Sequence, residues 1–103
     1  MATQITDANF NQTINSGKVV LVDFWAAWCM PCKNLSPVVD QVSAEFNGRA
    51  IIGKMDVDSN KETASQYGIK SIPALLIFKD GKLVDRVTSF NKASIVAKLN
   101  QYL

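Results

Sequence analysis

The sequence predicts an α/β fold: a central mixed five-stranded sheet flanked by four helices, in the order βαβαβαββα. Three stretches carry that expectation. Lys18 to Ala26, KVVLVDFWA, is apolar almost without alternation and rich in valine, the pattern of a strand buried on both faces. From Pro31 the period changes, and Leu35, Val38, Val39, Val42 and Phe46 fall on one stripe of an amphipathic helix. Asp80-Gly81 then separates two strand-like runs, which is a strong hairpin signal.

The remaining elements follow from local chemistry. A small strand at Thr3 to Ile5 precedes a first helix that begins at Thr6-Asp7, carries Phe10 and Ile14, and stops at Ser16-Gly17. The helix after the central strand ends near Asn47-Gly48. Pro37 inside it removes one backbone hydrogen bond and is expected to bend the helix without ending it, because the apolar stripe continues beyond. Ala50 to Val57 is the next strand. Strand, helix and strand with short connections form a βαβ unit, so these two strands should be parallel with a right-handed crossover. Ser59 to Tyr67 reads as a short polar helix capped by Ser59 and closed by Gly68. Ala74 to Lys79 and Lys82 to Val87 should pair antiparallel. A final helix, Asn91 to Tyr102, should turn Ile95, Val96 and Leu99 inward.

A chain of 103 residues fits one domain spanning 1–103. Its 48% hydrophobic and 19% charged residues are ordinary for a soluble globular protein, and no apolar run is long enough to span a bilayer. The N-terminus MATQITDANF lacks the basic start and apolar core of a signal peptide, so a cytoplasmic location is expected. The net charge of +2 is scattered and offers no footprint for nucleic acid. The expected form is a monomer. There is no histidine, which removes the commonest general base and the commonest metal ligand together.

Chemistry must therefore run on other groups, and Trp25 to Lys33, WAAWCMPCK, holds the only two cysteines. A closed zinc site wants four N or S ligands, which this chain alone does not have; two chains would have to share a metal or cluster. As a structural staple, a disulfide between Cys29 and Cys32 closes a tiny loop and removes little entropy from the unfolded chain. Two buried free cysteines at a strand-to-helix junction, with proline between them, would be an odd choice of small hydrophobes. The reactive reading has a positive case. Unpaired N–H groups and the positive dipole end at the first helical turn favour thiolate over thiol at Cys29, below the ordinary thiol pKa of about 8.5. Cys32, one turn in, should be more buried and keep its proton longer. Cys29 would then attack a substrate disulfide and Cys32 would resolve the mixed disulfide. Pro31 needs no N–H in the first turn and stiffens the loop between the sulfurs.

Two further features bear on that chemistry. Asp23 lies within the buried strand, where a carboxylate is costly unless paired or given a task, and where burial raises its pKa. It is placed to take the Cys32 proton through a water; the plainer reading is an edge residue bonded at the strand end. Lys54, on the neighbouring strand, is the candidate counter-charge, or else a solvated lysine with a buried stem. Ser71-Ile72-Pro73 opens the strand ALLIFK, a position where proline is tolerated.

With WAAWCMPCK, Asp23, Ile72-Pro73 and Phe78-Lys79-Asp80-Gly81 in this order, the chain resembles the thioredoxin family. The resemblance runs nearly end to end, from Val20-Leu21-Val22-Asp23-Phe24-Trp25 through Asp56-Val57-Asp58 and Tyr67-Gly68-Ile69 to the last helix. It implies a thioredoxin fold, with Cys29 as nucleophile, Cys32 as resolving cysteine, and the two joined as a redox disulfide. Thioredoxins are themselves the reference example of a lowered cysteine pKa, so that property belongs to the resemblance. Asp23 would assist proton transfer with Lys54 beside it. Pro73 is similar to the family's cis-proline, with the Ile72 backbone free to pair with an extended substrate segment. Trp28 would be the surface tryptophan at the site, with Trp25 packed beneath. The protein would bind no cofactor and no metal. Its electrons would come from NADPH through a flavin-containing thioredoxin reductase, and its substrates would be disulfide-containing proteins.

The chain departs from the family pattern in two places. Met30-Pro31 replaces the usual Gly-Pro between the cysteines, and Thr88-Ser89-Phe90 replaces a usual Gly-Ala in a loop expected to border the substrate groove. Both add side chains near the exposed sulfur. A substitution worth about 1 kcal/mol to one redox state moves a two-electron potential by roughly 20 mV, enough to alter partner preference and too little to stop reduction. The expected function is protein-disulfide reduction by a redox-active electron carrier. The alternatives are a more oxidising oxidase or isomerase on the same chemistry, or a non-redox binding module that uses the apolar surface around Trp28, Met30, Ile72 and Phe90.

Overall fold

In the computed structural model, which describes residues 1–103, the elements follow the expected order. They are β1 (Thr3–Gln4), α1 (Phe10–Ile14), β2 (Val19–Trp25), α2 (Met30–Glu45), β3 (Ala50–Asp56), α3 (Lys61–Gln66), β4 (Ala74–Lys79), β5 (Lys82–Val87) and α4 (Lys92–Asn100). The strands form one sheet in the order β1-β3-β2-β4-β5. β1, β3 and β2 run parallel, and β4 and β5 are antiparallel to their neighbours. Thus β2 lies at the centre, and six of its seven residues are buried, as its unbroken apolar run requires.

Alternation along the strands sorts the core into two layers. Val19 and Leu21 of β2, Ile52 of β3, and Leu75 and Ile77 of β4 pack with Leu35, Val39 and Val42 of α2 and Ile95 and Leu99 of α4. On the opposite face, Val20, Val22, Phe24, Met55, Leu76 and Phe78 pack with Phe10 and Ile14 of α1 and with Ala64 and Tyr67 at α3. There Phe10, Tyr67 and Phe78 meet edge to face, with centroids 5.2 to 5.6 Å apart. Gly53, the register partner of Thr3 in β1, leaves room for Ile5: a Cβ there would run into the Ile5 side chain.

Pro37 lies inside α2, and the helix runs through it, as the continuing stripe predicts. Asp80 and Gly81 form the two-residue turn between β4 and β5 with φ of +53° and +79°. Both positive values match the turn that suits a right-twisted hairpin.

Two expectations are corrected. Thr6 and Asp7 do not open the first helix. Thr6 and Asn9 exchange hydrogen bonds (Thr6 N–H to Asn9 Oδ1, 2.8 Å; Asn9 N–H to Thr6 Oγ1, 3.2 Å), and α1 starts at Phe10 after a turn. Nor does Ser59 cap α3. The cap position is Asn60, whose side chain accepts from Asp7 N and donates to the Asp56 carbonyl. The free N–H groups of α3 are taken instead by Asp7, which accepts from Glu62 N, Thr63 N and Thr63 Oγ1 at 3.1, 2.9 and 2.6 Å. A distant carboxylate does a cap's work because orphan donors at a helix start need any acceptor in reach.

Candidate functional site

Central strand β2 delivers the chain to the sheet edge, and α2 begins there. Cys29 is the N-cap residue, with extended backbone at φ −94° and ψ 105°. Its sulfur accepts the Cys32 backbone N–H at 3.3 Å, so one orphan donor of the helix start is aimed at this atom. Met30 and Pro31 occupy the first turn, where the proline lacks no bond it would otherwise make. Cys29 and Cys32 are joined as a disulfide, with Cα atoms 5.3 Å apart. Both sulfur-bearing residues are buried, at 5% and 2% exposure, against Ala26, Trp25, Val57 and Ile72.

The Ile72-Pro73 peptide is cis, as the resemblance implied. The Ile72 carbonyl oxygen lies 3.8 Å from Cys29 Sγ. Around the cysteines stand two large exposed side chains, Trp28 and Met30, at 69% and 63% exposure. The Trp28 indole N–H donates to Asp58 Oδ2 at 3.0 Å, which fixes the ring by its polar edge and leaves its face in water. Thr88 and Ser89 lie in the loop between β5 and α4. They line a groove of about 260 Å³ against Ser94 and Lys98 of α4, and Ser89 Oγ accepts from the Asn91 side chain at 3.0 Å.

Asp23 is an interior residue of β2 and 1% exposed, so it is not bonded at a strand end. It projects from the face that packs on α2, into a cavity of about 170 Å³ lined by Asp23, Trp25, Cys32, Lys33, Ser36 and Lys54. Its Oδ1 has no hydrogen-bond partner in the protein. Burial pushes its pKa up to about 7, opposed by the charge of Lys54 and assisted by that of Asp40. Four of its six lining residues, Asp23, Lys33, Ser36 and Lys54, are polar or charged, and it is roomy enough for water, whose share of liquid volume is roughly 30 Å³.

Lys54 is the register partner of Asp23 across the parallel β2–β3 pair. Its ammonium is nevertheless bonded to α2: it donates to Ser36 Oγ at 2.6 Å and pairs with Asp40 Oδ1 at 2.9 Å. That contact holds the Asp40 carboxyl below the usual carboxylate range, with help from the Ala2 N–H at 3.2 Å. Ser36, Asp40 and Asp58 were not singled out from the sequence. A signal for two of them was present: Cys32, Ser36 and Asp40 are spaced i, i+4, i+8, which puts them on one line of the helix facing the sheet.

No group of three or more Cys, Asp or Glu residues is arranged to hold a metal, and no helix is long and apolar enough to cross a membrane. The arrangement offers a sulfur at a helix N-terminus, a second sulfur one turn deeper, and a buried carboxyl sharing a cavity with the second. Such a set is suited to dithiol-disulfide exchange with an internal proton acceptor.

Comparison with known proteins agrees. The thioredoxin family model matches residues 1–101. A protein named thioredoxin 2 from Chlorobaculum tepidum is 50% identical over 102 residues, covering 97% of this chain and 94% of the relative. A thioredoxin from Staphylococcus aureus is 46% identical over 101 residues, covering 97% of this chain and 96% of the relative. The expected five-stranded mixed sheet with four helices is thus a thioredoxin fold, and the chain belongs to the thioredoxin family.

Proposed function

We propose that this chain is a single-domain protein thiol-disulfide oxidoreductase that reduces substrate disulfides through Cys29 and Cys32. The observation that carries the reading is the cysteine disulfide at the start of α2, its outer sulfur capping the helix beside the Ile72-Pro73 peptide.

In the reduced protein the Cys29 thiolate attacks one substrate sulfur. The substrate S–S bond breaks, its second sulfur leaves as thiolate, and a mixed disulfide joins Cys29 to the substrate. Cys32 then gives its proton to the Asp23 carboxylate and attacks Cys29 Sγ. The mixed disulfide breaks, the substrate departs with both sulfurs as thiolates that take protons from water, and the Cys29–Cys32 disulfide remains; two electrons have passed to the substrate. A carboxyl titrating near 7 suits the proton step, because it takes and returns a proton at neutral pH. Lys54 tunes that carboxyl by its charge.

Trp28, Met30, Pro31, Ile72 and Pro73 form the rim against which an extended substrate segment is held, and Thr88 and Ser89 border it from the loop before α4. The exposure of Trp28 and Met30 supports this. The reaction needs no bound cofactor; NADPH, through a flavin-containing thioredoxin reductase, restores the dithiol. The protein acts as a monomer in the cytoplasm.

The test is NADPH oxidation with thioredoxin reductase and a protein disulfide, using wild type and the Cys29→Ser, Cys32→Ser double variant. Turnover is expected from the wild type alone. Equilibration in a glutathione or dithiothreitol redox buffer separates reductase from oxidase: a potential well above the cytosolic glutathione poise overturns the reductase reading.

A further inference from the structure

Lys54 and Asp23 are neighbours in register on parallel strands, and a buried carboxylate next to a lysine ordinarily takes it as an ion-pair partner. Here Asp23 Oδ1 has no partner at all, while both recorded contacts of the Lys54 ammonium go to α2. We propose that Ser36 and Asp40 are positioning residues that hold the Lys54 ammonium off the buried Asp23 carboxyl, leaving that carboxyl free to exchange a proton instead of being locked in a salt bridge. This rests on the proton-transfer role given to Asp23 above.

The geometry supports a built device. Ser36 and Asp40 follow Cys32 by four and eight residues, so the helix that carries the resolving cysteine also carries both anchors of the lysine. The Ser36 contact is short at 2.6 Å, and the Asp40 ion pair, with side chains 21% and 35% exposed, is partly withdrawn from solvent. Asp40 is held in turn by the Ala2 N–H. The other charged groups around Asp23 are few. Lys33 of α2 lines the same cavity, Asp56 of β3 lines an adjoining one with Asp40 and Lys54, and the N-terminal amine acts on Asp40. The strand on the other side opposes Asp23 with apolar Leu75.

Removing an anchor should let the ammonium swing toward Asp23 and stabilise its charged form. The experiment is an NMR titration of the Asp23 side-chain carboxyl carbon in the full-length oxidised protein. Asp40→Asn keeps the shape and removes the charge, and it is expected to lower the Asp23 midpoint by about one pH unit. Ser36→Ala should lower it by less, and Lys54→Met should raise it. The deciding comparison is Asp40→Asn on a Lys54→Met background, where the shift should fall below half its size in wild type.

An equal shift in both backgrounds overturns the proposal, because Asp40 would then act by its own charge and not through Lys54. No shift in either background also overturns it. If Asp40→Asn does not fold, Ser36→Ala with and without Lys54→Met asks the same question. Disulfide reduction by the wild type is measured alongside. A lysine-dependent shift without reduction refutes the proposed function and supports the positioning, whereas reduction without a lysine-dependent shift refutes the positioning alone.

Discussion

The sulfur of Cys29 lies 3.8 Å from the carbonyl oxygen of Ile72, a residue 43 positions away in the chain. One belongs to the start of α2 and the other to the turn into β4, so two separate segments must dock on central strand β2 before the sulfur acquires this neighbour. Trp28 and Met30 are the most exposed large side chains around this sulfur.

Met30 is accordingly expected to act on recognition and little on folding. Being 63% exposed, it contributes little to the core. Met30→Gly should change stability by less than about 1 kcal/mol, the usual range for glycine in a helix. The potential should move by no more than roughly 20 mV. Reduction rates for several protein disulfides, compared between wild type and Met30→Gly, should change unevenly. Uniform rates would assign Met30 no part in partner choice.

Asp23 makes the stability of the oxidised protein depend on pH in a defined sense. Its pKa rises from 3.8 to about 7 on folding, so the native state favours the protonated carboxyl. Stability is therefore full below about pH 4, falls as pH rises, and reaches its lower level above about 7. Asp23→Asn removes the buried charge. It should stabilise the protein by up to about 4 kcal/mol at pH 8 and by much less at pH 5, as urea unfolding would show. An equal gain at both pH values would contradict the assignment.

Asp7 gives the opposite sign. Its three hydrogen bonds from Glu62 and Thr63 hold its carboxyl below the usual range, the Thr63 hydroxyl first among them. The stabilisation is present above the ordinary carboxylate pKa and is lost as pH falls through the lowered native value. Asp7→Ala should cost about 1 kcal/mol at neutral pH, the usual worth of a helix cap. The difference from wild type should shrink in acid, measured by thermal or urea unfolding at several pH values.

That Asp7 cap also marks where the sequence stopped being legible. The strands and long helix could be read because their signals are local: the unbroken apolar run of Val19 to Trp25, the stripe from Leu35 to Phe46, and the Asp80-Gly81 turn whose φ values are both positive. The cap of α3 could not, because its acceptor lies more than fifty residues away and nothing in Lys61 to Gln66 announces it. Serine before a polar helix is a sound local signal that a better-placed carboxylate displaced. The place of β1 beside β3 was equally silent, since it rests on the pairing of Thr3 and Gln4 with Gly53 and Lys54 and not on any period.

At the site, the cysteines and Asp23 were readable because each breaks a local rule: two thiols at a helix start and a charge inside an apolar strand. Ser36 and Asp40 break none. They are ordinary polar residues of α2 and acquire meaning only when Lys54 of β3 comes alongside. The cis bond at Pro73 followed from family resemblance and not from the residues, because local sequence rarely specifies it.

The central claim is that Cys29 is the attacking sulfur and Cys32 the resolving one. A single trapping measurement tests it most directly. Cys32→Ser and Cys29→Ser are each reduced, mixed with a disulfide substrate, quenched with acid and analysed by mass spectrometry. The account predicts that Cys32→Ser accumulates a one-to-one mixed disulfide at Cys29, while Cys29→Ser forms none at a comparable rate. An adduct that builds on Cys32 as fast as on Cys29, or none on either, would contradict it.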